Sequence, residues 1–258
     1  MAQFRTRARA LDLLGRQQIA GIPTAINELI KNAHDAYADN FDIDFFRYDN
    51  LLILRDNGLG MTKDEFETRW LTLGTESKLS GSTLSMPPVD PGKPKRAIMG
   101  EKGIGRLAIA SIGSQVLIVT KSKNTGDNAK VVVAFINWGI FELPGINLED
   151  IVIPVVEFDE LPTSEEINMI TNEVISSLTF LYDRNLISHS DYARIRTEIK
   201  SFDVNPYELS KQLYGSYPMS SNNGGTHFYI SPVYETLISD IEGDGSSEEA
   251  TKMEKMLM

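Results

Sequence analysis

Apolar residues in this chain come in short runs separated by glycine- and proline-rich breaks, and each run can be read by its period. Residues 4–19, rich in Arg, Ala, Leu and Gln, predict a helix that Gly21-Ile22-Pro23-Thr24 interrupts. Thr24 is a candidate N-cap for a second helix reaching about Tyr37, because its hydroxyl can accept a bond from an orphan N–H. Asp42-Ile43-Asp44-Phe45-Phe46 and Leu51-Leu52-Ile53-Leu54 predict two strands joined by a turn at 47–50, with Asp56 just past the second. Thr62 is expected to cap a short helix to about Trp70, and Thr-Lys-Asp-Glu there fits a capping box. Residues 74–97 lose periodicity and read as a long loop, a kind of segment that is usually functional or disordered. Gly100-Glu101-Lys102-Gly103-Ile104-Gly105-Arg106 closes it and opens a helix from Leu107 to about Ile112. Strands are predicted at 115–121 and 130–137, and helices over 163–200 with polar turns near Asp183 and Ser188. A last strand follows Gly224-Gly225-Thr226, and an acidic, Ser/Gly-rich tail with a short helix begins near Glu242.

Composition narrows the class. The 258 residues contain no cysteine and three histidines, His34, His189 and His227, none at metal-ligand spacing. Disulfides and cysteine-ligated metals are therefore excluded, and a zinc site is disfavoured. No apolar run approaches the ~20 residues of a membrane span, and no signal-type segment follows the basic start, so a cytoplasmic chain is expected. The net charge of −11 argues against a direct grip on a nucleic-acid backbone.

Candidate chemistry sits on the second helix and two glycine-rich segments. At about 100° per residue, Glu28, Asn32 and Asp35 share a stripe roughly 60° wide, opposite Ile26, Leu29, Ile30, Ala33 and Tyr37. Such a stripe can be a solvated face, but Asn and Asp are poor helix formers, so their side chains have a use there. Asn32 could offer Mg²⁺ an oxygen, and Glu28, one turn away, could orient or deprotonate a water. Asp56, entering Asn57-Gly58-Leu59-Gly60, could accept from a purine amine while the glycines admit a close ring; a plain Asx-Gly turn is the alternative. Gly100-x-x-Gly103-x-Gly105 before a helix could cradle phosphate, with Lys102 and Arg106 adding charge. It is neither a Walker A loop nor a dinucleotide fingerprint, and a loop hinge is the alternative.

The order of these segments resembles the GHKL ATPases: gyrase B, Hsp90, histidine kinases and MutL proteins, with MORC proteins as close relatives. Residues 27–36 are similar to the N box, 56–61 to the G1 box and 100–105 to the G2 box, and Gly225-Thr226 to the Gly-Thr motif that closes the fold. Leu73-Gly74-Thr75-Glu76-Ser77-Lys78 is similar to an Hsp90 stretch, pointing to an Hsp90-like or MORC-like branch. The resemblance implies an α+β Bergerat fold, with helices covering one face of a mixed, mostly antiparallel sheet. It implies Glu28 as general base, Asn32 as Mg²⁺ ligand, Asp56 as adenine reader supported by Thr226, and Asp35 as a supporting residue. Further ATP contacts are implied at Gly58, Gly60, Met61, Thr75, Lys78, Gly100, Lys102, Gly103, Ile104 and Gly105.

The implied protein is an Mg²⁺-dependent ATPase module whose ATP state closes a lid over 74–99 and promotes homodimerisation. Histidine kinases lack a base equivalent to Glu28, which favours the hydrolysing branch. Two departures qualify this. Residues 142–223 are a long interval, expected to be a helical insertion in an ATP-binding domain spanning 1–235. The lysine that hydrolysing relatives supply from a following domain has no place before the acidic linker at 236–258, so further C-terminal domains are expected. Without them the chain could sense ATP rather than turn it over.

Overall fold

The computed structural model describes residues 6–16, 21–72, 89–100, 105–213, 219 and 223–242. Their centre is a six-stranded sheet, in spatial order β1 (Phe41–Phe46), β2 (Leu51–Asp56), β6 (Gly225–Ile230), β3 (Gln115–Lys121), β4 (Val131–Asn137) and β5 (Val155–Phe158). All five pairings are antiparallel. The α+β architecture expected from the sequence is present.

Directly paired residues share a face. Register therefore puts Leu52, Leu54, Asp56, Val116, Ile118, Thr120, Thr226, Phe228 and Ile230 on one side, and Ile53, Arg55, Leu117, Val119, His227 and Tyr229 on the other. β2, β3, β4 and β6 are buried at every position. A strand rich in Val, Ile and Leu without alternation needs both faces covered. α1 (Arg9–Arg16) and α2 (Ile22–Asp35) both pack on a short 3₁₀ helix, Gly105–Ser111, and α7 (Glu235–Glu242) rests on α2. On the opposite face Phe202, just after α5, meets Phe135 of β4 edge-on, with ring centroids 4.9 Å apart. α4 (Ser164–Asp183), α5 (His189–Lys200) and α6 (Pro206–Gln212) all fall within 142–223, which also contributes the edge strand β5.

Several boundaries follow local chemistry. Thr62 and Glu65 form the expected capping box at α3 (Lys63–Glu65), which widens into a π turn over Phe66–Trp70 that stacks the Phe66 and Trp70 rings 5.0 Å apart. Thr163 caps α4 where the helical region was expected to begin, and Ser188 caps α5 at one of the predicted turns. Thr24 is not a cap: α2 begins two residues earlier, after Gly21 at φ 92°, because Pro23 presets the first turn. Asp56 is the last residue of β2 rather than a residue beyond it. The helix expected from Leu107 is the 3₁₀ segment beginning at Gly105. The first helix begins only at Arg9, and the rest of its expected span, 17–19, lies outside the described residues, as does the expected terminal helix. Among the described residues no helix is long and apolar enough to cross a membrane.

The sheet face opposite the Asp56 side carries polar groups. Arg55 is buried and donates to Asp44 from Nη2 at 2.8 Å and from Nε at 3.2 Å. His227, paired with Arg55 across the sheet, is 3% exposed, and neither ring nitrogen has a hydrogen-bond partner among the described residues. Burial, with the Arg55 charge, pushes its pKa down from 6.5 to about 3. A depressed histidine contributes stability that is whole above pH 6.5 and declines as pH falls toward that lower value. His227→Leu is expected to unfold in urea within about 1 kcal/mol of wild type at neutral pH. It should also lose less stability than wild type between about pH 6 and pH 4.

Candidate functional site

Asp56 ends β2 facing Thr226 of β6. Its Oδ1 accepts from the Gly58 N–H at 2.8 Å, which forms the Asx turn into 57–61. Thr226 Oγ1 lies 3.0 Å from Thr120 Oγ1, which also donates to Gly225 O at 2.9 Å and accepts from Met61 N at 3.0 Å. Three strands and the turn thus converge on one polar knot within an apolar sheet. Asp56 is 5% exposed, and burial raises its pKa from 3.8 to about 6, against the hydrogen bonds of the Gly58 and Thr226 backbones and the Lys123 charge. Lys123 donates from Nζ to Asn57 O and from its backbone to Leu59 O at 2.9 Å, closing the turn from outside.

The glycines here are dictated by packing against the chain itself. A Cβ on Gly60, at φ 61°, would lie 1.9 Å from Lys121 O, and one on Gly225, at φ 149°, would lie 2.1 Å from Asp56 O. A Cβ on Gly58 would meet Ala36 O at 2.8 Å. Gly60, read from sequence as room for a purine, is first required so that the turn can lie on β3.

α2 turns Ile22, Ala25, Ile26, Leu29 and Ala33 into the core, leaving Asn32 exposed and Glu28 and Asp35 half-buried. The predicted polar stripe is real, and it faces the second glycine segment. Asp35 accepts from Met99 N at 2.8 Å and Gly100 N at 2.9 Å. At the other end, a Cβ on Gly105 would stand 2.7 Å from Glu28 Oε2. Gly100 and Gly105 therefore flank α2 at points seven residues apart, about 10 Å along its axis. Glu28 Oε1 is held by Lys31 Nζ at 2.7 Å. Arg106, expected to add charge toward phosphate, instead donates to the carbonyls of Arg69 and Trp70, the latter at 2.9 Å. The 3₁₀ winding at Gly105 swings it toward the end of the α3 segment.

Of the residues singled out by sequence, Glu28, Asn32, Asp35, Gly100 and Gly105 gather on the α2 side, and Asp56, Gly58, Gly60, Met61 and Thr226 around the turn. Thr75, Lys78, Lys102, Gly103 and Ile104 lie outside the described residues. Sequence reasoning missed Thr120 and Asn57. Thr120 is a lone hydroxyl in the buried strand Gln-Val-Leu-Ile-Val-Thr-Lys, which was the available signal. Asn57 Oδ1 accepts from Asp39 N at 2.8 Å and Asn40 N at 2.9 Å, a tie that needs the fold to be seen. Among the described residues no group of three or more His, Cys, Asp or Glu is placed to hold a metal ion.

Residues 21–154, just over half of the chain, match the family model of histidine kinase-, DNA gyrase B- and HSP90-like ATPases. A second similarity is to a putative type II restriction enzyme, HgiDII, of Herpetosiphon aurantiacus, 36% identical over 88 residues. That match covers 34% of this chain and spans only 13% of the relative's length.

The raised pKa of Asp56 means that charging it costs the fold. The proton-bound form is favoured, so the stability this group confers is complete below pH 3.8 and is lost as pH rises through about 6. Asp56→Asn keeps an acceptor for Gly58 and removes that cost. Thermal and urea unfolding should show the variant about 1–3 kcal/mol more stable than wild type at pH 8, with no gain near pH 4.

Proposed function

Because this chain belongs to the histidine kinase-, DNA gyrase B- and HSP90-like ATPase family, we propose that it is an ATP-binding module that hydrolyses ATP with Mg²⁺, using Glu28 as general base. The observation that carries this reading is the placement of Glu28 against Gly105, on the helix face whose other end holds Gly100 through Asp35. A carboxylate beside a phosphate-binding glycine segment is within reach of a water attacking the terminal phosphate.

Asp56 accepts a hydrogen bond from the adenine amine, backed by Thr226 and Thr120, with Met61 at the edge of the base pocket. The N–H groups of the Gly100–Gly105 segment meet the phosphates. Lys102, Gly103 and Ile104, with Thr75 and Lys78 from the expected lid, complete the ATP contacts by family resemblance. Asn32 would hold Mg²⁺ through its carboxamide oxygen, and the ion would neutralise charge on the phosphates. Asp35 orients the glycine segment and takes no part in chemistry. The possession of Glu28 favours the hydrolysing branch, with Hsp90-like and MORC-like proteins. Lid closure then prepares a homodimer, and the similarity to a restriction enzyme favours a longer protein in which other parts handle nucleic acid.

The Lys31–Glu28 ion pair favours a second reading. A carboxylate held by an ammonium must release it before it can take a proton from water, and a chain kept in that state senses ATP without turning it over. Glu28→Ala is expected to bind ATP within about threefold of wild type and to lose ~100-fold or more in turnover. Surviving turnover removes Glu28 from the mechanism. Lys31→Met separates the two readings: a rate that rises identifies the ion pair as the brake, whereas an unchanged, measurable rate supports the hydrolysing reading.

A further inference from the structure

The connection between α2 and β1, residues 36–40, is a junction that the catalytic reading does not use. On one side it holds the Asp56 turn. Leu59 N donates to Ala36 O at 2.8 Å, and Asn57 Oδ1 accepts from Asp39 N at 2.8 Å and Asn40 N at 2.9 Å. On the other side it holds the strap that leads to Gly100. Lys93 Nζ donates to Tyr37 O at 2.8 Å and to the Asp39 carboxylate. Arg96 donates to Ala38 O at 2.6 Å and to Asp39 Oδ1 at 2.9 Å, and its guanidinium lies 5.5 Å from the centroid of the Tyr37 ring. Two cations from the strap thus sit at the carbonyl end of α2, where its dipole favours positive charge, and one carboxylate binds both.

An isolated pair at this exposure would contribute little. Here Lys93 and Arg96 are each about three-quarters buried, with side chains 24% and 25% exposed, and each also takes a main-chain carbonyl. Three residues beyond Arg96, Met99 N meets Asp35, followed by Gly100 N. Little slack separates the clamp from the glycine segment.

We propose that Asp39 is a positioning residue for the nucleotide phosphates: by clamping Lys93 and Arg96 to the end of α2 it sets where Gly100 approaches the pocket. The proposal rests on the ATP-binding reading. It concerns the triphosphate only, because the base is read at Asp56, on the far side of the same junction. Losing the clamp should therefore weaken ATP and spare adenosine.

Calorimetric titration of wild type, Asp39→Asn and Asp39→Glu with ATP and with adenosine, at low and high salt, tests this. Asp39→Asn keeps the backbone donor to Asn57 and is expected to weaken ATP about threefold to tenfold at low salt while adenosine is unchanged. The gap should narrow at about 0.5 M salt, where exposed charges are screened. Asp39→Glu should recover most of the affinity. Equal ATP binding by Asp39→Asn and wild type overturns the proposal alone, and so does parallel loss of ATP and adenosine, which marks Asp39 as a support of the turn. A wild-type chain that binds neither ligand overturns the ATP reading and this one with it.

Discussion

Main chain lies directly on main chain where the 57–61 turn meets the ends of β3 and β6, and the geometry of the site depends on that contact. No side chain fits between Gly60 and Lys121, or between Gly225 and Asp56. The close approach brings Met61 N to Thr120 and sets Thr226 beside Asp56. Burial of the sheet on both faces then holds these strands rigid. This side of the candidate site is thus made of backbone, and its shape does not depend on the rotamer of any long side chain.

The other part of the candidate site is a single helix. α2 buries one stripe and offers the other, so the spacing of Glu28, Asn32 and Asp35 along the chain becomes a spacing in space. Its two carboxylates contact opposite ends of one glycine segment, and its carbonyl end receives the strap cations. The same element therefore carries the proposed base and anchors the segment that ends at Gly100. That economy explains why Pro23 and the positive-φ Gly21 matter: they fix where α2 starts, and hence the phase of its polar stripe.

Much of this was legible before any coordinates. The runs 115–121 and 130–137 read as strands, and the Thr–Glu box at Thr62 marked a helix start, whereas the matching box at Thr163 opens the expected helical region without having been singled out. The stripe on α2 and the glycine spacing were readable because helical phase and backbone approach are local properties. What escaped was non-local. β5 is four residues long and becomes a strand only by pairing with β4. Thr120 looks like an ordinary strand residue until β6 brings Thr226 beside it. Arg106 read as a phosphate ligand because charge can be seen in a sequence, while the carbonyls of Arg69 and Trp70 that claim it cannot. The cost of charging Asp56 likewise follows from burial by strands far apart in the chain.

That cost ties occupancy to integrity. A carboxylate so enclosed that its proton leaves only near pH 6 carries a desolvation cost when charged at neutral pH. A ligand that donates to that carboxylate would offset part of this cost, and binding of the folded form alone shifts the folding equilibrium by mass action. Under the proposed reading, the bound small molecule would act as a removable structural part. Depletion of that molecule would then reduce how much of the chain is folded as well as how much is working.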